Sequence, residues 1–172
     1  MLRSLTLAAA MSLATGAVQA DNHMTPKASA LITGTEGALA GSVTLNATAS
    51  GRTLVQINLT GVPEGVHAVH LHETGDCSAE DFTSAGGHIA GDAKHGVLTE
   101  GGPHPGDMPN MTVGEDGILK AEVFLDLLDI DEMIMDEDGA AFIMHAGADD
   151  YMSQPAGDAG SRIACGAFSK AD

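Results

Sequence analysis

The chain has 172 residues, the length of one domain, with 7 Lys and Arg against 24 Asp and Glu and a formal charge of −17. So acidic a chain argues against nucleic acid or an anionic membrane surface as a partner. Hydrophobic residues make up 44% of it, enough for a packed core, and with no Trp, one Tyr and four Phe that core rests on aliphatic residues and Met.

Residues 1–20 carry a short basic start at Arg3, a mostly apolar run and the ending Val18-Gln19-Ala20. They read as a signal peptide cut after Ala20. A transmembrane anchor fits less well, because Ser12, Thr15 and Gly16 interrupt a run already short for a bilayer. The mature domain is then residues 21–172, and losing Arg3 takes the charge from −17 to −18. Cys77 and Cys165 both remain. An even count in an exported protein reads as one disulfide, with two buried free thiols as the alternative.

Strands follow. Residues 42–47 alternate polar and apolar, and residues 53–60 put Val55, Ile57 and Leu59 on one face. Residues 49–52 form the hairpin turn between them, and residues 61–65 the next turn. Further strands are expected at 66–73, 118–125, 141–146 and 163–169. Residues 126–138 read as a short helix or an acidic connection, with Met133 and Met135 as packing residues. Seven or eight short strands with Gly-rich turns predict an all-β antiparallel sandwich or barrel. Two long stretches, 74–110 and 147–161, do not fit that scheme and are expected to be functional loops.

Histidine distribution carries the chemistry. On the strand 66–73, His70 and His72 share a face and can offer two imidazoles to one metal. His67 has the opposite parity and is expected to be a buried, hydrogen-bonded structural residue. Alone, an H-x-H pair is more often a solvated strand face. The first long loop changes that balance, since it carries His88, His95 and His104 followed by Asp107. Three imidazoles and a carboxylate make a tetrahedral zinc set. His145, at the end of an apolar strand, is the remaining ligand candidate.

The segment from Gly65 to Cys77, with His70 and His72, resembles the copper-ligand signature of copper–zinc superoxide dismutases. Residues 83–88, ending Gly86-Gly87-His88, are similar to the segment that carries that family's metal-bridging histidine. Residues 157–166, with Arg162 and Cys165, resemble its second signature. The similarity runs in order through the mature chain. It implies an eight-stranded Greek-key β-barrel, also described as a sandwich, with two long functional loops. It implies copper on His70, His72, His88 and His145, and zinc on His88, His95, His104 and Asp107. Asp149 matches the carboxylate linking His70 to His95, Arg162 the residue that docks the superoxide anion, and Cys77 and Cys165 the family's disulfide. The implied reaction oxidises one superoxide to oxygen and reduces a second to hydrogen peroxide, with His88 as the bridging, proton-accepting switch. The bacterial style of both signal and resemblance implies a periplasmic antioxidant enzyme, not membrane-bound when mature. A copper carrier or metal buffer of the same fold and a zinc hydrolase are weaker readings, because every copper ligand and the arginine are in place.

Two features lie outside that pattern. The loop 147–161 has Asp149, Asp150 and Asp158 and no Lys, which predicts weak electrostatic steering of superoxide. His23 becomes the third residue after cleavage, in Asp21-Asn22-His23, a possible N-terminal copper site, although an incidental tail histidine is the simpler reading. Monomer and homodimer both suit a sequence whose few aromatics nominate no interface.

Overall fold

The computed structural model describes residues 26–35 and 37–171, so the signal peptide 1–20 and His23 lie outside the described residues. Nine strands form: β1 (Ala28–Gly34), β2 (Ala40–Ala47), β3 (Thr53–Thr60), β4 (Gly65–His67), β5 (Val69–His72), β6 (Met111–Val113), β7 (Leu119–Leu125), β8 (Ala141–His145) and β9 (Arg162–Lys170). One helical turn, α1 (Ile130–Met133), precedes β8. Seven strands make a curled antiparallel sheet in the order β5-β8-β9-β1-β2-β3-β7. β4 leads into β5 at one edge and pairs with β6, which lies beside β7 at the other. Counted as one strand interrupted at Ala68, β4 and β5 give the expected eight.

That interruption is the main departure from the single strand expected over 66–73. The Ala68 amide donates to Gly147 O at 2.8 Å, and its carbonyl accepts from the His145 amide at 2.9 Å. Its hydrogen bonds thus go to the end of β8, while β4 pairs with β6 and β5 with β8. β6 was not expected, being three residues at the exit of the first long loop. The acidic stretch 126–138 resolves into α1, capped by Asp129, whose side chain accepts from the amides of Asp131 and Glu132. Ile130 and Ile134 anchor it in the core, Met133 packs against the core and Met135 is exposed.

Period-2 alternation sets the interior. Val43 and Leu45 of β2, Val55, Ile57 and Leu59 of β3, Val69 and Leu71 of β5, and Phe142 and Met144 of β8 share one apolar core. The opposite face of β5 and β8 carries His70, His72 and His145, and it too is buried, beneath the long loops. A second, smaller cluster of Phe82, Ala85, Ala141, Ile143 and Cys165 lies on this face. The Cys77–Cys165 disulfide joins the first loop to β9 there, with Cα atoms 5.9 Å apart and 88 positions between them in sequence. Constraining so long a loop is worth about 2–5 kcal/mol. Replacing both cysteines by Ser should therefore lower the unfolding free energy by about 2–5 kcal/mol, measured by denaturant titration of the oxidised parent and the variant.

Candidate metal centre

Strand parity supplies the first three imidazoles. His70 and His72 project from the same face of β5, and His145 reaches that face from the end of β8, where the β8–β9 register shifts. The fourth, His88, comes from the loop. That loop returns along β5: Ile89 donates to Leu71 O and Glu73 donates to Gly87 O, both at 2.9 Å. The same loop passes again at Gly106, whose carbonyl accepts from the Leu71 amide at 2.9 Å. A Cβ at Gly106 would stand 2.6 Å from Leu71 O, so only glycine allows this approach.

One ligand atom from each of His70, His72, His88 and His145 lies within 4.8 Å of the others, and all four residues are buried. Each ring is held at one nitrogen. His70 Nε2 is 2.7 Å from Asp149 Oδ2, His72 Nδ1 donates to Gly86 O at 3.0 Å, and His145 Nδ1 donates to Gly160 O at 3.2 Å. His88 Nδ1 is 3.0 Å from Asp107 Oδ1. The other nitrogens, His70 Nδ1 and Nε2 of His72, His88 and His145, are buried without a hydrogen-bond partner. Among the described residues only Asn46 Oδ1 shares that condition. Each such atom costs about 1–3 kcal/mol unless something satisfies it, and a metal ion at their centre does so for all four. Burial and the neighbouring His88 hold the His72 imidazole down at about 2, and burial and His70 hold His145 at about 4. Both rings are therefore neutral donors near pH 7.

Around Asp107 a second donor set converges. His88 Nδ1, His95 Nδ1 and His104 Nδ1 stand 3.0, 3.1 and 3.3 Å from its Oδ1, and His104 Nδ1 is 3.4 Å from His88 Nδ1. A tetrahedral zinc site with bonds of about 2.0–2.1 Å has edges of about 3.3–3.4 Å, so these separations suit it. Asp107 Oδ2 accepts from the amides of Gly96 and His104, which orients Oδ1 inward. Burial pushes this carboxyl up, but the His88 ring and those two amides outweigh burial and hold it well below the ordinary range. His70 also lies within 4.8 Å of His88, His95 and Asp107. Its Nε2 is taken by Asp149, however, so His104 completes the second set better. His88 belongs to both sets, one through each ring nitrogen.

Asp149 ties the sets together. Its Oδ2 meets His70, and its Oδ1 meets His95 Nε2 at 3.0 Å and accepts from the Tyr151 amide at 2.6 Å. Burial raises Asp149, yet these donors bring it down to about 2. The supports of this carboxylate were not read from the sequence. Asn110 Oδ1 accepts from the Asp149 amide, Asn110 Nδ2 donates to Asp149 O, and the Asn110 amide donates to the Tyr151 hydroxyl. Gln154 grips the His95 backbone at both N–H and C=O. Gly157, at φ +72°, lies where a Cβ would come within 2.0 Å of Asp149 Oδ1. For Asn110, Tyr151 and Gln154 the one faint signal was their position in the two unexplained loops, whereas Gly157 opens the second signature.

Arg162 pairs in register with His145. Its guanidinium donates to Phe82 O and to Gly86 O, both at 2.6 Å. Gly86 O also accepts from His72 Nδ1–H, so the cation and one ring of the first set share an acceptor. His67 joins neither set. Its ring nitrogens lie 2.9 Å from His145 O and Pro63 O, linking the β3–β4 turn to the end of β8.

Two buried donor sets sharing one imidazole, with a cation alongside, define a binuclear metalloprotein built on an antiparallel β-barrel. The family model described as copper/zinc superoxide dismutase matches residues 39–168. A superoxide dismutase [Cu-Zn] of Caulobacter vibrioides is 36% identical over 169 residues, covering 94% of this chain and 97% of its own. Superoxide dismutase [Cu-Zn] 2 of Aquifex aeolicus is 40% identical over 146 residues, covering 81% and 85%. A crystal structure of a double mutant of a SOD-like protein from Bacillus subtilis superposes with a TM-score of 0.76 at 35% identity, covering 81% of this chain and 95% of that one. The chain belongs to the copper/zinc superoxide dismutase family.

Asp149→Asn should weaken zinc binding roughly 10–100-fold, because the carboxylate that fixes the His95 ring is lost; competition against a chromophoric chelator measures it. A second expectation concerns protein stripped of metal by chelation. His72 at about 2 and His145 at about 4 lie below the ordinary 6.5 of an unfolded histidine. The unfolded chain then binds more protons between pH 6.5 and 4, so stability is full above 6.5 and falls as pH drops through that window. Thermal melts of the stripped protein across this range should show Tm falling with pH.

Proposed function

We propose that His70, His72, His88 and His145 hold copper, that His88, His95, His104 and Asp107 hold zinc, and that the chain dismutates superoxide. Two superoxide anions and two protons become one O2 and one H2O2. The observation that carries this reading is the four partnerless ring nitrogens gathered in one buried place, one of them on the ring that also faces the second donor set. Their imidazole character suits copper, whereas three imidazoles and a carboxylate at tetrahedral spacing suit zinc.

Copper held by His70, His72, His88 and His145 would supply the one-electron redox couple that dismutation requires. The chain's own groups do the rest. Arg162 offers a fixed positive charge beside His145, where an anionic substrate docks. The carbonyls of Gly86 and Gly160 hold Nδ1–H tautomers on His72 and His145 and leave Nε2 as the donor lone pair. His88 Nε2, when it is not engaged as a ligand, would be the atom that holds one of the two protons consumed by the second superoxide. Asp149, ionised and buried, fixes the rings of His70 and His95. Residues 1–20 direct export, are removed after Ala20, and leave residues 21–172 in the periplasm, where the disulfide persists.

A copper carrier of the same fold is the rival reading, and the placement of Arg162 favours the enzyme. Purified mature protein should contain one copper and one zinc and dismutate superoxide rapidly. His70→Ala should abolish copper binding and activity, and Arg162→Ala should slow turnover while keeping both metals. Both metals without dismutation would hand the case to the carrier. The acid-rich surface and Lys-free second loop also set the salt response: kcat/KM should stay flat or rise slightly as ionic strength increases. A steep fall would show that attractive steering dominates.

A further inference from the structure

A cavity of about 530 Å³ opens beside the second donor set. One wall is the loop segment 103–109, and the other is the end of β7 with the residues after it, Val123 to Leu127. β7 is the last strand of the seven-stranded sheet, so no further strand of that sheet fills this side. Pro103, Pro105 and Pro109 fix φ along the loop wall. Gly106 donates to Ile89 O at 3.1 Å and accepts from the Leu71 amide, which holds that wall to the returning loop and to β5. The opening is thus built into the fold.

The cavity runs from solvent to the second donor set. At its outer end stand Val97, Phe124 and Leu127, each more than half exposed. At its inner end stand His104 and Asp107. These two are also the members of the set that keep most contact with water. Their side chains are each 7% exposed, against 3% for His88 and 0% for His95. His70, His72, His145 and Arg162 do not line the cavity, so it is separate from the side on which the arginine stands. Its charged lining consists of Asp107, Asp126 and Asp149, with no Lys or Arg. Asp126 is paired with Arg52, which leaves the buried Asp107 and Asp149 as the dominant charges. Carboxylates behind apolar walls draw a cation inward. A zinc ion with about six waters, at about 30 Å³ each, occupies roughly 200 Å³ and fits inside.

We propose that this cavity is the route by which zinc enters and leaves the second donor set. The proposal rests on the zinc assignment made above and adds an order and a direction. Asp107 and His104 meet the ion first, and the deeper His88 and His95 close the set. Superoxide docks on the Arg162 side, so substrate and zinc do not share a mouth.

The test plugs the cavity after the chain has folded. Leu127→Cys and Phe124→Cys each place a thiol at the outer end, on the wall away from the ligands, while Cys77 and Cys165 are tied up in the disulfide. Protein carrying both metals is labelled there through a mixed disulfide, with either a methyl group or a bulky aromatic group. Leu31→Cys, 81% exposed on β1, takes the same labels as a control. Zinc release to excess chelator, zinc uptake after zinc removal and equilibrium zinc affinity are then measured. The bulky label at Leu127→Cys or Phe124→Cys should slow release and uptake together, by roughly tenfold or more, and leave Kd unchanged because Kd is the ratio of the two rates. The methyl label, and either label at Leu31→Cys, should change neither rate. Unchanged rates under the bulky label at both cavity positions overturn the proposal. Slower release with an altered Kd also overturns it, since the label then acts on the ligands and not on a path. An unlabelled parent that takes up no zinc, or that holds zinc as tightly after His104→Ala, overturns the zinc assignment itself and the route with it.

Discussion

Two ionised carboxylates and six imidazoles lie together under two loops, and the rest of the fold answers to that burial. Uncompensated, such a cluster is among the most costly things a protein interior can hold. Asp149 and Asp107 carry the compensation. Asp149 accepts from a ring of each donor set and from a backbone amide, and Asp107 is met by three rings and two amides. What these carboxylates leave unsatisfied is the first set's four inward nitrogens, and those converge. The hydrogen bonding thus makes a place for a metal by elimination: in the first set every outward ring nitrogen is engaged, and every inward one is not.

Such a site fails if its loops drift by an ångström, since ligand geometry tolerates little error. The sheet supplies His70, His72 and His145 from rigid strands, but His88, His95, His104 and both carboxylates lie outside the strands. Rigidity must be imported. Backbone bonds from the loop to Leu71 and Glu73 extend β5 sideways, and the disulfide ties Cys77 to the β9 strand that begins with Arg162. The Asn110–Asp149–Tyr151 bonds and the Gln154 grip on His95 join the two loops to each other. Arg162 belongs to this scaffold as much as to the substrate path, because it spans Phe82 and Gly86 of the first loop.

The parts legible in the sequence are those set by local period. Alternation along β3 and β5 separated Val55, Ile57 and Leu59, and then Val69 and Leu71, from the polar positions. The same parity put His70 and His72 on one face and His67 on the other. A first long loop carrying three histidines marked where the chemistry would be, and the family resemblance marked Arg162 and Asp149, which spacing alone would not have singled out. Long-range pairing was not legible. Ala68 breaks its strand because its partners are at residues 145 and 147, a relation with no local trace. Asn110, Tyr151, Gln154 and Gly157 matter through contacts made across the gap between the loops. A glycine required because a carboxylate oxygen would occupy its Cβ position looks, in one dimension, like any turn glycine.

A chain this acidic handling an anionic substrate poses a question of range. The chain's formal charge of −17 repels superoxide from afar, but the field of scattered surface carboxylates decays over a Debye length of about 8 Å at physiological salt. Arg162 instead stands opposite His145, half-buried, where lower local dielectric strengthens its pull. Asp81 is the acidic group whose charge bears on Arg162, and it sits on the exposed rim, where water weakens it. The local cation therefore stands at the point of docking, whereas the net charge acts through screened, solvent-exposed carboxylates and can serve solubility without closing the site to its substrate.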